Sequence, residues 1–293
     1  MRTVTMLSGM ATFSLEDVRA VCKRRDAWWT VLLVDPLAIR LTRVLASRTS
    51  VTPDQVTTVA FALGIGAAGC FTQGTPGWLA LGALLYHLGF VLDCCDGKMA
   101  RLKGCGSPFG GWLDFMLDRV RDTVCAMALA GGLYAATGRS AYLWVGCAIL
   151  ALDMFRYLNG AQIGKARRAL RRSRWTAVRR EEPAEEQGPG GLVAVPPRPG
   201  LYGRIRAFLK AHRIRTHLVS GIEFQMAAFI VGPLTGMVIP AVAIAGGLLF
   251  FFEVVLIVRF WRWSRRFRRR EPLAAGVAGE APVQADAVPV PSR

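Results

Sequence analysis

Long apolar runs constrain this chain more than any other feature. Six of them lie near the ~20 residues that a helix needs to cross a bilayer: Val56 to Phe71, Trp78 to Leu92, Gly110 to Ala136, Ala141 to Asn159, Leu218 to Met237 and Val238 to Trp261. The expected fold is therefore an all-α integral membrane protein with six transmembrane helices. The hydrophobic fraction, 53% of 293 residues, agrees with that class. The last two runs are almost continuous, and Gly232-Pro233 and Pro240 are the expected connection between them.

The formal charge of +17 would suit a nucleic-acid binder. The basic residues, however, sit in short blocks at the ends of the apolar runs, and no exposed soluble module remains to read bases or track phosphates. No nucleic acid is expected as a partner; membrane topology accounts for the charge. Arg40, Arg43 and Arg48 precede the first run, and Lys98, Arg101 and Lys103 separate the second from the third. Lys165 to Arg180 follow the fourth, and Arg259 to Arg270 follow the sixth. The alternate connections are nearly bare: Thr72 to Gly77 and Pro233 to Ile239 carry no charge, and Thr137 to Ser140 carries only Arg139. Lysine and arginine collect on the cytoplasmic side. Six helices in the cell (inner) membrane with both termini cytoplasmic satisfy every loop.

Three regions follow. Residues 1–50 form a cytoplasmic N-terminus, 51–261 a six-helix domain with a flexible cytoplasmic loop at about 165–217, and 262–293 a basic and then disordered tail. Within the first region Trp28-Trp29 and Asp35 to Leu45 predict an N-terminal amphipathic helix at the membrane interface. Its Leu37, Leu41, Val44 and Leu45 share one face; an ordinary packed surface helix would show the same pattern. Glu181 to Pro199, rich in Glu, Pro and Gly, reads as the flexible part of the loop. Met1 to Phe13 lacks the pattern of a cleaved signal peptide. Seven cysteines without a C-x-x-C pair, and three histidines without ligand spacing, point to neither zinc nor a disulfide framework.

Chemistry concentrates between Asp93 and Asp118, where the chain reads DCCDGKMARLKGCGSPFGGWLDFMLD. Asp93, Asp96, Gly97, Ala100 and Arg101 follow three- and four-residue steps and share a helix face; Gly110, Asp114 and Asp118 do the same on the next helix. The eight residues between Arg101 and Gly110 let the chain turn, so four carboxylates converge at the cytoplasmic end of two membrane helices. An aspartate at a helix centre costs roughly 2.5 to 3.5 kcal/mol to insert, and converging carboxylates repel. Divalent cations relieve both costs, and hard oxygen ligands suit magnesium, manganese or calcium better than zinc. The alternative compensation is ion pairing with Arg101, Arg119 and Arg121, which leaves the glycines on the same faces unexplained.

The pattern D-x2-D-G-x2-A-R-x8-G-x3-D-x3-D is the signature of the CDP-alcohol phosphatidyltransferases, and this sequence resembles that family at every fixed position without a gap. Chance would supply such a match with odds on the order of one in ten million. Thr52 to Thr57 (TPDQVT) is similar to the family's Thr-Pro-Asn-x-aliphatic-Thr, with Asp54 in place of Asn, and the resemblance covers roughly residues 30 to 260. It implies that Asp93, Asp96, Asp114 and Asp118 are metal ligands, with Asp118 also the general base on the incoming hydroxyl. Gly97 and Gly110 would let the nucleotide approach the backbone, Arg101 would hold the diphosphate, Thr57 would belong to the nucleotide site and Ala100 would be a small packing residue. Implied with these are Mg2+ or Mn2+ as cofactor, a CDP-linked lipid donor, an alcohol acceptor, surrounding membrane lipids and a homodimer. No His or Ser pairing suggests a covalent phosphoenzyme, so direct displacement is expected.

The acceptor site is read from charge alone. Arg156, Lys165, Arg167 and Arg215, near the cytoplasmic ends of the fourth and fifth runs, suit a phosphorylated acceptor such as inositol phosphate or glycerol phosphate; each also suits a topological anchor. Asp122, Asp153, Glu223 and Glu253 are further acids within apolar runs. Glu223 with Gln225 could bind a polyol hydroxyl or pair with Arg215. Two other functions stay open: a divalent-cation membrane transporter, which needs polar residues along a path through the bilayer, and a family member acting on a non-lipid CDP-alcohol.

Overall fold

The structure is a computed structural model that describes residues 6–7, 10–181, 204, 208–209, 211–215 and 220–268. Most of the expected flexible loop, and the tail beyond 268, lie outside the described residues. Helix dominates: α1 (Leu15–Ala20), α2 (Asp35–Arg48, entered through a π-helical turn, Thr30–Val34), α3 (Pro53–Phe71), α4 (Pro76–Lys103), α5 (Pro108–Thr137), α6 (Ala141–Glu181), α7 (Gly221–Met226), α8 (Gly232–Thr235, joined to α7 by a π-helical turn, Ala227–Val231) and α9 (Val238–Arg268). Two-residue strands, Met6–Leu7 and Met10–Ala11, pair antiparallel. By its contacts the chain divides into Met1–Phe252 and Glu253–Arg293. The first unit holds the core and both polar clusters described below; the described part of the second is the remainder of α9.

Four helical stretches are long and apolar enough to cross a membrane: Pro53–Phe71, Pro76–Lys103, Ala141–Leu170 and Val238–Arg265. The expectation of six is met in part, for two physical reasons. The α5 helix runs 30 residues but carries Asp114, Asp118, Arg119, Arg121 and Asp122 in its first half. The fifth run is described only as the shorter apolar stretch Gly221–Thr235. Its break also falls later than expected. Gly232 and Pro233 stay helical, and the turn comes at Gly236, whose φ of 69° is open to glycine without strain. At the other end of the expected loop, α6 continues for 41 residues to Glu181, about 60 Å and twice the ~30 Å of hydrocarbon.

Small residues set the helix spacing. A Cβ at Gly89 of α4 would stand 3.0 Å from the Ala60 carbonyl of α3, and one at Gly82 would lie 2.6 Å from the Phe71 ring. Close backbone approach of this kind replaces the hydrophobic effect as the packing force between helices in lipid. The core they enclose includes Phe71, Tyr86, Met99, Leu129, Phe224 and Phe229. By contrast only 11% of the apolar window of α6 is buried, which leaves an apolar surface suited to hydrocarbon.

The segment expected to form the amphipathic helix is helical, as α2. It packs against α4 with Ala38, Thr42 and Ala46 buried, and Leu41 and Leu45 lie against the core. Leu37 and Val44 remain 46% exposed, so the apolar face read from the sequence is split between core and surface.

Candidate active site and its carboxylates

Two caps bring the halves of the aspartate motif together. Gly104, at φ 65°, ends α4 in the left-handed conformation, and Ser107 starts α5 by accepting the Gly110 amide at 2.8 Å. One carboxylate oxygen each from Asp93, Asp114 and Asp118 then falls within 4.8 Å of the others. Asp114 Oδ1 is buried with no hydrogen-bond partner among the described residues. An orphaned acceptor beside two more carboxylates fits a hard divalent cation, whose ligands are oxygens.

Asp96 stands beside this group of three. It is 5% exposed, and Thr57 Oγ1 lies 2.5 Å from its Oδ2. The Thr57 hydroxyl also lies 3.1 Å from the Pro53 carbonyl, so both neighbours of this hydroxyl are acceptors of its own protein. A cavity of about 140 Å3 opens here, lined by Asp93, Asp96, Gly97, Lys98, Arg101 and Asp114 together with Lys23, Asp26, Asp35, Cys94 and Arg213. Arg101 borders the cavity while donating Nε to the Val21 carbonyl at 2.8 Å. Gly97 faces the Arg101 guanidinium: a Cβ there would lie 3.5 Å from Nη1. At Gly110 the neighbour is protein, since a Cβ would meet Asp54 Oδ1 at 2.8 Å. A Cβ at Gly106 would lie 3.8 Å from that of Ala100.

The arginines of α5 divide the acids. Arg121, 3% exposed, donates Nη1 to Asp118 Oδ1 at 2.8 Å and Nη2 to Asp122 Oδ1 at 3.2 Å. Asp122 also accepts from Tyr86 Oη at 2.8 Å, Gln225 Nε2 at 2.6 Å and Arg119 Nη2 at 2.8 Å. Asp153 on α6 pairs with Arg119 and, at 3.0 Å, with Arg156. The i,i+3 spacing of Asp118 to Arg121 and Arg119 to Asp122 was a visible signal for these pairs.

None of the residues expected to hold the acceptor lines the carboxylate cavity. Arg156 is held by Asp153 and by the Tyr157 ring, 4.1 Å away. Lys165 and Arg167 are exposed on α6. Arg215 pairs with Asp26 at 3.4 Å, not with Glu223. Glu223 closes a capping box, accepting from Ser220 N and Oγ, and takes the Trp28 amide at 3.2 Å. Lys98 is likewise no free topological charge: it is 4% exposed and pairs with Asp35 at 3.0 Å. Sequence reasoning missed Lys23 and Arg213, whose place at the cavity depends on contacts far apart in the chain.

Comparison with known proteins bears on the same segment. The family model of the CDP-alcohol phosphatidyltransferases matches residues 50–180. A phosphatidylinositol phosphate synthase of Cutibacterium acnes is 36% identical over 129 residues, 44% of this chain and 56% of that protein. A bifunctional IPC transferase and DIPP synthase of Rubrobacter xylanophilus is 39% identical over 84 residues, 29% of this chain and 19% of the relative. An archaetidylinositol phosphate synthase of Pyrococcus horikoshii is 35% identical over 95 residues, 32% of this chain and 48% of the relative. The chain thus spans about a fifth to just over half the length of these relatives. Residues 50–180, which carry every fixed position of the aspartate motif, belong to the CDP-alcohol phosphatidyltransferase family.

Proposed function

We propose that the chain is a membrane enzyme that moves a phosphatidyl group from a CDP-linked lipid to inositol phosphate and releases CMP. The observation that carries the reaction class is the convergence of Asp93, Asp114 and Asp118 beside Asp96, Gly97 and Arg101, within the segment that matches the family. The acceptor is taken from the printed activity of relatives such as the Cutibacterium acnes phosphatidylinositol phosphate synthase.

Asp93, Asp114 and Asp118, with Asp96 beside them, would hold Mg2+ or Mn2+. When bound, such a cation supplies charge neutralisation on the diphosphate as CMP departs. Asp118 accepts the proton of the attacking hydroxyl, and Arg121 fixes its carboxylate in place at 2.8 Å. Arg101 offers guanidinium hydrogens to the diphosphate, and Gly97 leaves space beside it. Six crossings with both termini cytoplasmic, and α2 at the interface through Leu37 and Val44, complete this reading. A cation transporter would need the buried acids free to bind its ion; Asp122 and Asp153 are consumed in ion pairs.

The experiment offers purified protein in detergent CDP-diacylglycerol, Mg2+ and a panel of alcohols while CMP is counted. Release is expected with inositol phosphate, lost in chelator and restored by Mg2+ or Mn2+. Full release in excess chelator defeats the metal-dependent mechanism, and equal turnover with free inositol defeats the phosphorylated acceptor.

A further inference from the structure

Lys23 and Asp26 lie on the rim of the carboxylate cavity, in a segment, residues 21–26, that is fastened from distant parts of the chain. Arg101 donates Nε to the Val21 carbonyl at 2.8 Å. Arg213 donates Nη2 at 2.8 Å and Nε at 3.1 Å to the Lys23 carbonyl, and Nη1 to Asp35 at 3.3 Å. Asp26 exchanges backbone hydrogen bonds with Arg213 and Arg215 at 2.8 and 2.9 Å, and its carboxylate pairs with Arg215. Among the described residues Arg213 is the one non-glycine with positive φ, 61°. Backbone strain of this kind persists only where surrounding contacts over-determine it.

These ties hold one side chain where it matters. Lys23 lines the cavity with Asp93, Asp96 and Asp114. Of the other basic groups at the cavity, Lys98 and Arg213 are paired with Asp35, while Arg101 gives Nε to Val21 and keeps its Nη groups for the diphosphate. Among the described residues Lys23 shows no salt bridge. At about 140 Å3 the cavity is smaller than pockets that enclose a whole ligand, so it takes a phosphate-sized part of one.

We propose that Lys23 contacts a substrate phosphate, and that Arg213 is the positioning residue that holds the Lys23 backbone at the rim. The proposal rests on the transfer reaction above, and the phosphate belongs either to the CDP donor or to the phosphorylated acceptor. A charge-assisted hydrogen bond makes the expected effect about 10-fold or more in KM.

The test measures KM and kcat for CDP-diacylglycerol and for inositol phosphate in K23A, K23R, R213A and the K23A/R213A pair, with R24A and R25A as controls of equal charge loss. K23A should raise KM for one substrate while kcat stays within about twofold, and K23R should restore most of it. R213A should act in the same direction, and the pair should be no worse than K23A alone. Whichever KM moves identifies the phosphate. Binding of CDP and of inositol phosphate to the same proteins is measured in parallel. If wild type releases no CMP, the transfer reading fails while the binding comparison still decides the role of Lys23. Unchanged KM and affinity in K23A, or an equal loss in R24A and R25A, overturns the proposal.

Discussion

Helix α5 carries two acidic neighbourhoods one turn apart, and they are built in opposite ways. Toward its start, Asp114 and Asp118 converge with Asp93 on a shared point, with Arg121 as the cation paired to Asp118 and an orphaned oxygen on Asp114. One turn later, Asp122 is closed in by Arg119, Arg121, Tyr86 and Gln225, and Asp153 by Arg119 and Arg156. Paired buried charges hold a fold together only while every partner is present. Carboxylates left facing one another are a cost the fold bears for a ligand. On the function proposed above, acid at the first place serves chemistry and acid at the second serves architecture.

The largest effect that separates them is on stability at Asp122. With 4% exposure and four partners, Asp122→Ala leaves the buried Arg121 and the half-buried Arg119 under-compensated. Breaking a buried pair costs about 3 to 5 kcal/mol, so the melting temperature in detergent should fall by roughly 10 °C. A shift of only a degree or two would mean that this cluster is not structural.

Next is Asp118→Asn. Arg121 keeps Asp122 as partner, so the fold should survive while CMP release falls by roughly 100-fold or more. Near-normal turnover assigns the base elsewhere and erases the functional half of the contrast.

How far the contrast was legible in the sequence follows from the range of each contact. The motif spacing placed Asp93, Asp114 and Asp118 together, because three- and four-residue steps on two helices joined by a short turn leave little freedom. Charge blocks were less informative. Lys98 sat in a loop-side basic block, yet it is buried on Asp35, 63 positions away, and no periodicity announces such a partner. Glu223 was placed by hydropathy as a membrane acid, when the pattern Ser220 to Glu223 is a helix cap. The rim at residues 21–26 was invisible, since its fastenings reach across 190 positions to Arg213. The extension of α6 to Glu181 was missed because polar sequence beyond a span reads as loop until the helix is seen to continue.

The smallest and most diagnostic effect is expected at Asp114. Its Oδ1 has no hydrogen-bond partner among the described residues, and its neighbours Asp93 and Asp118 are also carboxyl groups. Asp114→Asn removes a repelling charge and supplies a donor, so in chelator the variant should melt no lower than wild type, and by a degree or two higher. Added Mg2+ should stabilise wild type by about 2.7 kcal/mol at a hundred times its dissociation constant, and the variant by far less. Thermal unfolding with chelator and with Mg2+, on both proteins, reads the two effects separately. If Asp114→Asn instead melts well below wild type in chelator, Asp114 is architectural like Asp122, and the two neighbourhoods of α5 do not differ in kind.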